Sequence, residues 1–131
     1  MYKYHKDGVF IPEKLSIFVF GSNLKGIHGA GAAKFACHQL GAVYGVGIGI
    51  TGRCYAIPTK DKHIMTLSLD VVKFHVDNFI NYAKENIETN FFITRIGCGL
   101  AGYSDNEIAP LFKNSSENCN FAEEWKQYLE L

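Results

Sequence analysis

Twice along this chain a buried apolar run passes straight into a glycine-rich loop and then into a helix. That repeated local pattern restricts the fold more than any other feature. Residues 15–20 (Leu-Ser-Ile-Phe-Val-Phe) read as a buried strand and end at Gly21. A glycine-rich loop follows over 21–31, then a helix over 30–40. Ala32, Ala33, Phe35, Ala36 and Leu40 form the apolar side of that helix, and Gly41 supplies the stop. Residues 91–96 (Phe-Phe-Ile-Thr-Arg-Ile) repeat the pattern. They run into the loop 97–103, and Ser104 to Glu107 has the spacing of a capping box before a helix around Ile108–Phe112.

Between the two units the glycines at 45, 47, 49 and 52 alternate with Val46, Ile48 and Ile50. Interior glycines mark bulges or close backbone approach, so residues 43–58 are expected to form an irregular hairpin. Tyr55-Ala56-Ile57 is its regular return strand, and Pro58-Thr59-Lys60-Asp61 leaves it as a loop. The clearest helix covers 69–86, with Val72, Val76, Phe79, Ile80 and Ala83 at helical spacing. Residues 114–120 read as a loop, and Phe121–Leu131 as a closing helix with Phe121, Trp125, Tyr128 and Leu129 inward. Strands alternating with helices predict an α/β fold in one domain, 1–131, with a largely parallel sheet covered on both faces.

Composition narrows the function classes. Apolar residues are 47% and charged residues 20%, a globular balance. Formal net charge is zero, which argues against a general nucleic-acid or membrane-surface binder. No apolar run approaches the ~20 residues that cross a bilayer. The charged stretch Met1 to Lys14 has no signal-peptide core, so a cytoplasmic protein without a membrane partner is expected. Cys37, Cys54, Cys98 and Cys119 are scattered without a C-x-x-C pair, which predicts free packing thiols and no metal site.

In open α/β sheets ligands gather beyond the carboxyl ends of the strands. Glycines there let backbone N–H groups approach a phosphate, and the helix that follows adds the positive end of its dipole. Two such loops side by side suit a diphosphate. Neither is a P-loop, because no G-K-[ST] follows. Gly97-x-Gly99-x-x-Gly102 has dinucleotide spacing, but it comes late and lacks the downstream ribose acid, which argues against a dehydrogenase.

The stretch Thr94 to Gly102 (Thr-Arg-Ile-Gly-Cys-Gly-Leu-Ala-Gly) resembles the phosphate loop of macrodomains, in particular the branch of terminal ADP-ribose protein glycohydrolase. Phe20 to Leu24 through His28 to Ala33 resembles the first macrodomain loop, an Asn followed by a glycine-rich turn into a helix. The likeness runs in order over about 15–113, and the whole chain is similar to short macrodomain-like proteins of bacteria and their phages. It implies a three-layer α/β/α sandwich with a mixed, mostly parallel sheet that binds ADP-ribose or a relative, without a cofactor. ADP-ribosylated protein or nucleic acid is the implied macromolecular partner. Gly21, Ser22, Asn23, His28, Gly29, Ala30 and Gly31 would line one side. Gly97, Cys98, Gly99, Leu100, Ala101, Gly102 and Tyr103 would line the other, Tyr103 lying against the distal ribose or closing the cleft. Asn23 would approach the distal ribose. Hydrolases of that branch use a lysine nucleophile and a loop aspartate. Lys60 stands where the lysine would come, the loop acid position holds Ala101, and Asp105 follows a turn later.

Each candidate also has a plainer reading. Lys60 is either a nucleophile or a solvated loop lysine beside Asp61. Asp105 is either a general base or a first-turn acid favoured by the helix dipole. His28 contacts phosphate or bonds backbone. Arg53 and Arg95 are candidates for bidentate phosphate contact, and Arg95, inside an apolar strand, must find a partner. Cys98 is a reactive thiol near a helix N-terminus or a small loop filler. The expected function is nucleotide binding, extended to hydrolysis of an ADP-ribosyl bond. The alternatives are a non-catalytic sensing or sequestering module and a structural protein with a vestigial cleft.

Overall fold

A computed structural model describes residues 2–8 and 16–130. Leu15 of the expected first strand, part of the charged N-terminal stretch and Leu131 of the expected closing helix lie outside the described residues.

The strands are β1 (Lys3–His5), β2 (Ile17–Asn23), β3 (Gly49–Thr51), β4 (Cys54–Lys60), β5 (Phe91–Ile93) and β6 (Cys119–Ala122). The helices are α1 (Gly31–Leu40), α2 (Leu69–Glu85), α3 (Asp105–Ile108) and α4 (Lys126–Leu129). The six strands form one sheet in the order β1-β6-β5-β2-β4-β3. All neighbours are parallel except the β3–β4 hairpin. This is the expected α/β class, a mixed and mostly parallel sheet between helices.

Side-chain alternation divides the core into two faces. Val19, Tyr55, Ile57, Phe91 and Ile93 pack on α2 through Val72, Val76, Phe79 and Ile80. Phe79 meets Tyr55 and Phe91 edge-on, with ring centroids 5.1 and 5.3 Å apart. Phe112, Phe121 and Trp125 extend that layer. Phe18, Phe20, Cys54 and Ala56 face the other way, onto Ala36 and Leu40 of α1. The short, alanine-rich α1 covers β2 and β4, while Phe92 on β5 stays half-buried on the same face. That uneven cover leaves room for a cleft.

Three local readings change, and one strand went unread. The 121–131 segment is not one helix. Cys119–Ala122 is strand β6, between β5 and β1, followed by a 3₁₀ turn at Glu123–Trp125 and only four residues of α4. A four-residue strand is too short to show a period of two, so its apolar residues mimicked helical spacing. The short, polar β1 gave no signal for the same reason. Pro58 to Lys60 remain inside β4 rather than leaving it. The ladder to β3 ends at Ala56, so beyond that point β4 has a free side where a missing N–H costs nothing. Ser22 pairs with Pro58 but Asn23 with Lys60, so Thr59 is a bulge. Strand β5 ends at Ile93 rather than at residue 96.

The expected hairpin exists, and its glycines are close-approach residues. A Cβ on Gly47 would lie 2.0 Å from the Asn23 carbonyl oxygen. The segment therefore lies directly against the turn after β2, and the Ser22 hydroxyl donates to the Gly47 carbonyl. No helix among the described residues is long and apolar enough to cross a membrane.

Candidate functional site

A cleft of about 1030 Å³ opens beyond the carboxyl ends of β2, β4 and β5. The first wall is the loop after β2. Asn23 fixes its shape: its amide nitrogen donates to the Ile27 carbonyl at 2.9 Å, and its side-chain oxygen accepts the Ile27 N–H at 3.0 Å. The chain then enters α1 at Ala30, which has no side chain to cap the first-turn N–H groups. Those donors belong to residues that line the cleft.

The second wall is the loop 97–103. Gly102 N–H donates to the Gly99 carbonyl at 3.0 Å, and Tyr103 N–H to the Gly97 carbonyl at 2.9 Å. These two bonds close the loop, with Gly97 and Gly102 at φ of 77° and 87°. Between them the N–H groups of Gly99, Leu100 and Ala101 meet no acceptor among the described residues. The Ser104–Glu107 capping box is formed: the Glu107 carboxylate accepts the Ser104 N–H at 3.0 Å.

Behind this loop lies an ionic anchor. Arg95 donates from Nε and Nη2 to the two oxygens of Asp105, at 2.9 and 2.6 Å, and from Nη1 to Asp7 at 3.1 Å. Trp125 Nε1 donates to the same carboxylate at 2.7 Å. Arg95 thus finds its partner within the protein. Its guanidinium holds the Asp105 carboxyl below the usual range, with help from the indole. Burial, and next the negative charge of Asp105, pushes the Cys98 thiol up to about 12. Cys98 is therefore a neutral thiol at pH 7, not a thiolate.

Of the residues expected on the first wall, Gly21, Ser22, Asn23, Gly29, Ala30 and Gly31 line the cleft. On the second wall Gly97, Cys98, Gly99 and Leu100 do so, and Lys60 lies between the walls at the end of β4. Six candidate residues do not line it. His28 is buried behind the first loop, Nε2 donating to the Val43 carbonyl at 3.1 Å, its ring edge-on to Phe20. Tyr103 turns its hydroxyl to the Leu67 carbonyl at 2.6 Å, and the Ala101 carbonyl accepts from Thr66 Oγ1 at 2.9 Å. Ala101, Gly102 and Tyr103 thus brace the loop from outside. Asp105 is committed to Arg95 and Trp125. Arg53 is absent from the lining, whereas Arg95 contributes to it.

The cleft also contains residues that sequence reasoning missed. His5 stacks on Phe92, with ring centroids 3.7 Å apart, and Phe18 and Phe35 lie beside them. Alternation along β5 was the available signal, since Phe91 and Ile93 facing α2 send Phe92 to the opposite face. Burial lowers the pKa of His5. At the opposite end Lys60 bridges to Thr66 and begins a tight hairpin. The Asp61 carboxylate turns into that hairpin, accepting the N–H groups of His63 (2.8 Å) and Met65 (3.1 Å), which lower its pKa. Among the described residues Lys60 therefore has no ion-pair partner, while Arg95 is compensated by Asp7 and Asp105.

No protein-family model matches the chain, and no curated protein does. Solved structures are similar to the chain, among them the following two. One is DarTG from Thermosipho africanus in complex with ADP-ribose (13% identity, TM-score 0.57), over 83% of this chain. This chain spans only 38% of that one. The other is a protein of unknown function from Bacteroides thetaiotaomicron (16% identity, TM-score 0.58), over 93% of this chain and 97% of its own length. At such identities the likeness is one of architecture, and the fold of this chain is macrodomain-like.

Proposed function

We propose that this chain binds ADP-ribose or a closely related NAD-derived nucleotide, with the diphosphate between the loop 97–103 and the N-terminus of α1. One observation carries the reading: the N–H groups of Gly99 and Leu100 and those of the first turn of α1 meet no acceptor among the described residues, and they belong to residues on opposite walls of a single cleft. A diphosphate supplies acceptors to both, and charge-assisted bonds of this kind contribute roughly 1.5–3 kcal/mol each. The purine is placed at the end of the cleft lined by His5, Phe18, Phe35 and Phe92, away from Lys60. That orientation sends the terminal ribose toward Lys60. The DarTG likeness supports the same ligand, because that protein was solved with ADP-ribose.

Binding is favoured over hydrolysis by the state of the acids. Asp105 lies outside the cleft lining, and Asp7, which lines it, is paired with Arg95. A carboxylate engaged in an ion pair is a poor general base. ADP-ribosylated protein or nucleic acid is then a bound partner rather than a substrate.

Calorimetric titration and thermal shift with ADP-ribose and AMP test this. ADP-ribose should raise Tm more than AMP, because ligand binding to the native state adds stability. Gly99→Val is the matching variant. Gly99 has no left-handed φ, and a Cβ there meets nothing within 4 Å, so the fold should survive. The side chain would instead occupy the anion position and reduce affinity at least about tenfold, the loss of one charge-assisted bond or more. No shift with any diphosphate nucleotide, or unchanged affinity in Gly99→Val, refutes the proposal.

A further inference from the structure

Among the described residues Ile64 is alone in having a positive φ without being glycine, at 63°. A β-branched residue is among the least suited to that region, because Cβ crowds the carbonyl. The position is the tip of the hairpin that begins at Lys60. Asp61 N–H donates to the Met65 carbonyl at 2.8 Å, and Ile64 N–H to the Asp61 carbonyl at 3.1 Å. A glycine or asparagine would satisfy the same turn without strain. Core packing does not explain the isoleucine, since its side chain belongs to neither apolar cluster and is 41% exposed. Its one distinguishing position is on the wall of the cleft, at the Lys60 end. Leu100, 77% exposed, supplies another apolar side chain to the same cavity. The hairpin is tied to the phosphate loop by Thr66 Oγ1 donating to the Ala101 carbonyl, so the two apolar residues are held on connected supports.

We propose that Ile64 is a specificity-determining residue of the cleft. With Leu100 it forms an apolar lip that contacts the carbon face of the terminal ribose and keeps water from it, and the strained backbone at residue 64 is retained for that contact. The inference rests on the binding reading above and adds what selects ADP-ribose over shorter nucleotides. ADP and AMP end before the lip and gain nothing from it. Strain preserved at a binding residue, where a relaxed alternative exists, is the expected mark of function over stability.

The test compares wild type with Ile64→Gly and Ile64→Asn, both of which accept the left-handed backbone. Titration of wild type with ADP-ribose and ADP comes first. Each variant should bind ADP-ribose about tenfold more weakly, the loss of roughly half an isoleucine's burial, with ADP affinity within about twofold of wild type. Without ligand, Ile64→Gly should melt roughly 3 °C above wild type as the strain is released. Equal loss for both nucleotides, unchanged ADP-ribose affinity, or a lower Tm in Ile64→Gly overturns the inference while leaving nucleotide binding intact. Wild type that binds neither nucleotide overturns the functional reading, and this inference falls with it.

Discussion

Removing the Asp105 carboxylate should destabilise the whole domain, because three elements converge on it. Trp125 is fully buried and its indole N–H donates to Asp105 at 2.7 Å. In Asp105→Ala that donor has no acceptor, which costs roughly 1–3 kcal/mol. Arg95 loses its two-pronged partner but keeps Asp7 at 3.1 Å and Glu124 at 3.9 Å, and its side chain is 31% exposed. Solvent screening limits that part to about 1 kcal/mol. Together the loss is about 2–4 kcal/mol, against a total of roughly 5–15 kcal/mol for a domain of this kind. Urea denaturation followed by circular dichroism measures it. A loss below about 0.5 kcal/mol would show that the network is ornamental to the fold. The pH dependence gives an independent arm. The Asp105 carboxyl is depressed in the folded protein, first by Arg95. Its contribution is therefore fully present above the unfolded carboxylate value near 3.9 and is lost as pH falls through the lower folded value. Asp105→Asn keeps an acceptor for Trp125 but not the charge. The stability gap between wild type and Asp105→Asn should be greatest near neutrality and shrink below about pH 4. A gap that widens on acidification contradicts the assignment.

Two further outcomes follow from the geometry. Gly47→Ala should cost at least about 2 kcal/mol by chemical denaturation, because its Cβ would overlap the Asn23 carbonyl oxygen at 2.0 Å and force apart two backbone segments. Unchanged stability would mean that the 43–52 segment does not lie against the first loop. For Lys60, incubation with ADP-ribosylated protein or DNA under borohydride should trap no adduct. An adduct that forms in wild type and disappears in Lys60→Ala would replace the binding reading with covalent hydrolysis.

The candidate site was legible in sequence wherever its chemistry is carried by backbone. Glycine runs after apolar strands, followed by helical periodicity, are local patterns, and both loops line the cleft. Side-chain roles were less legible because they depend on partners far along the chain. Asp105 was open between a general base and a first-turn acid, and neither reading contained its binding of Trp125 and Arg95. His28 was open between a phosphate contact and a backbone bond, and Tyr103 read as a ligand contact, but their polar atoms reach the carbonyls of Val43 and Leu67, 15 and 36 residues away. The aromatic cluster combines β1, β2, α1 and β5, and no short pattern announces it.

By itself the sequence determined the fold class, the two loops, helix α2 and the stops and caps at Gly41 and Ser104. Each follows from periodicity, backbone permissiveness or capping within a few residues. Tertiary structure alone decided that Cys119–Ala122 pairs as a strand between β1 and β5, that Pro58 remains in β4, and which wall each polar side chain serves. Those outcomes depend on long-range ladders and on hydrogen bonds to distant backbone. A buried polar group takes whatever partner the assembled fold brings within reach, and neighbouring residues do not encode that partner.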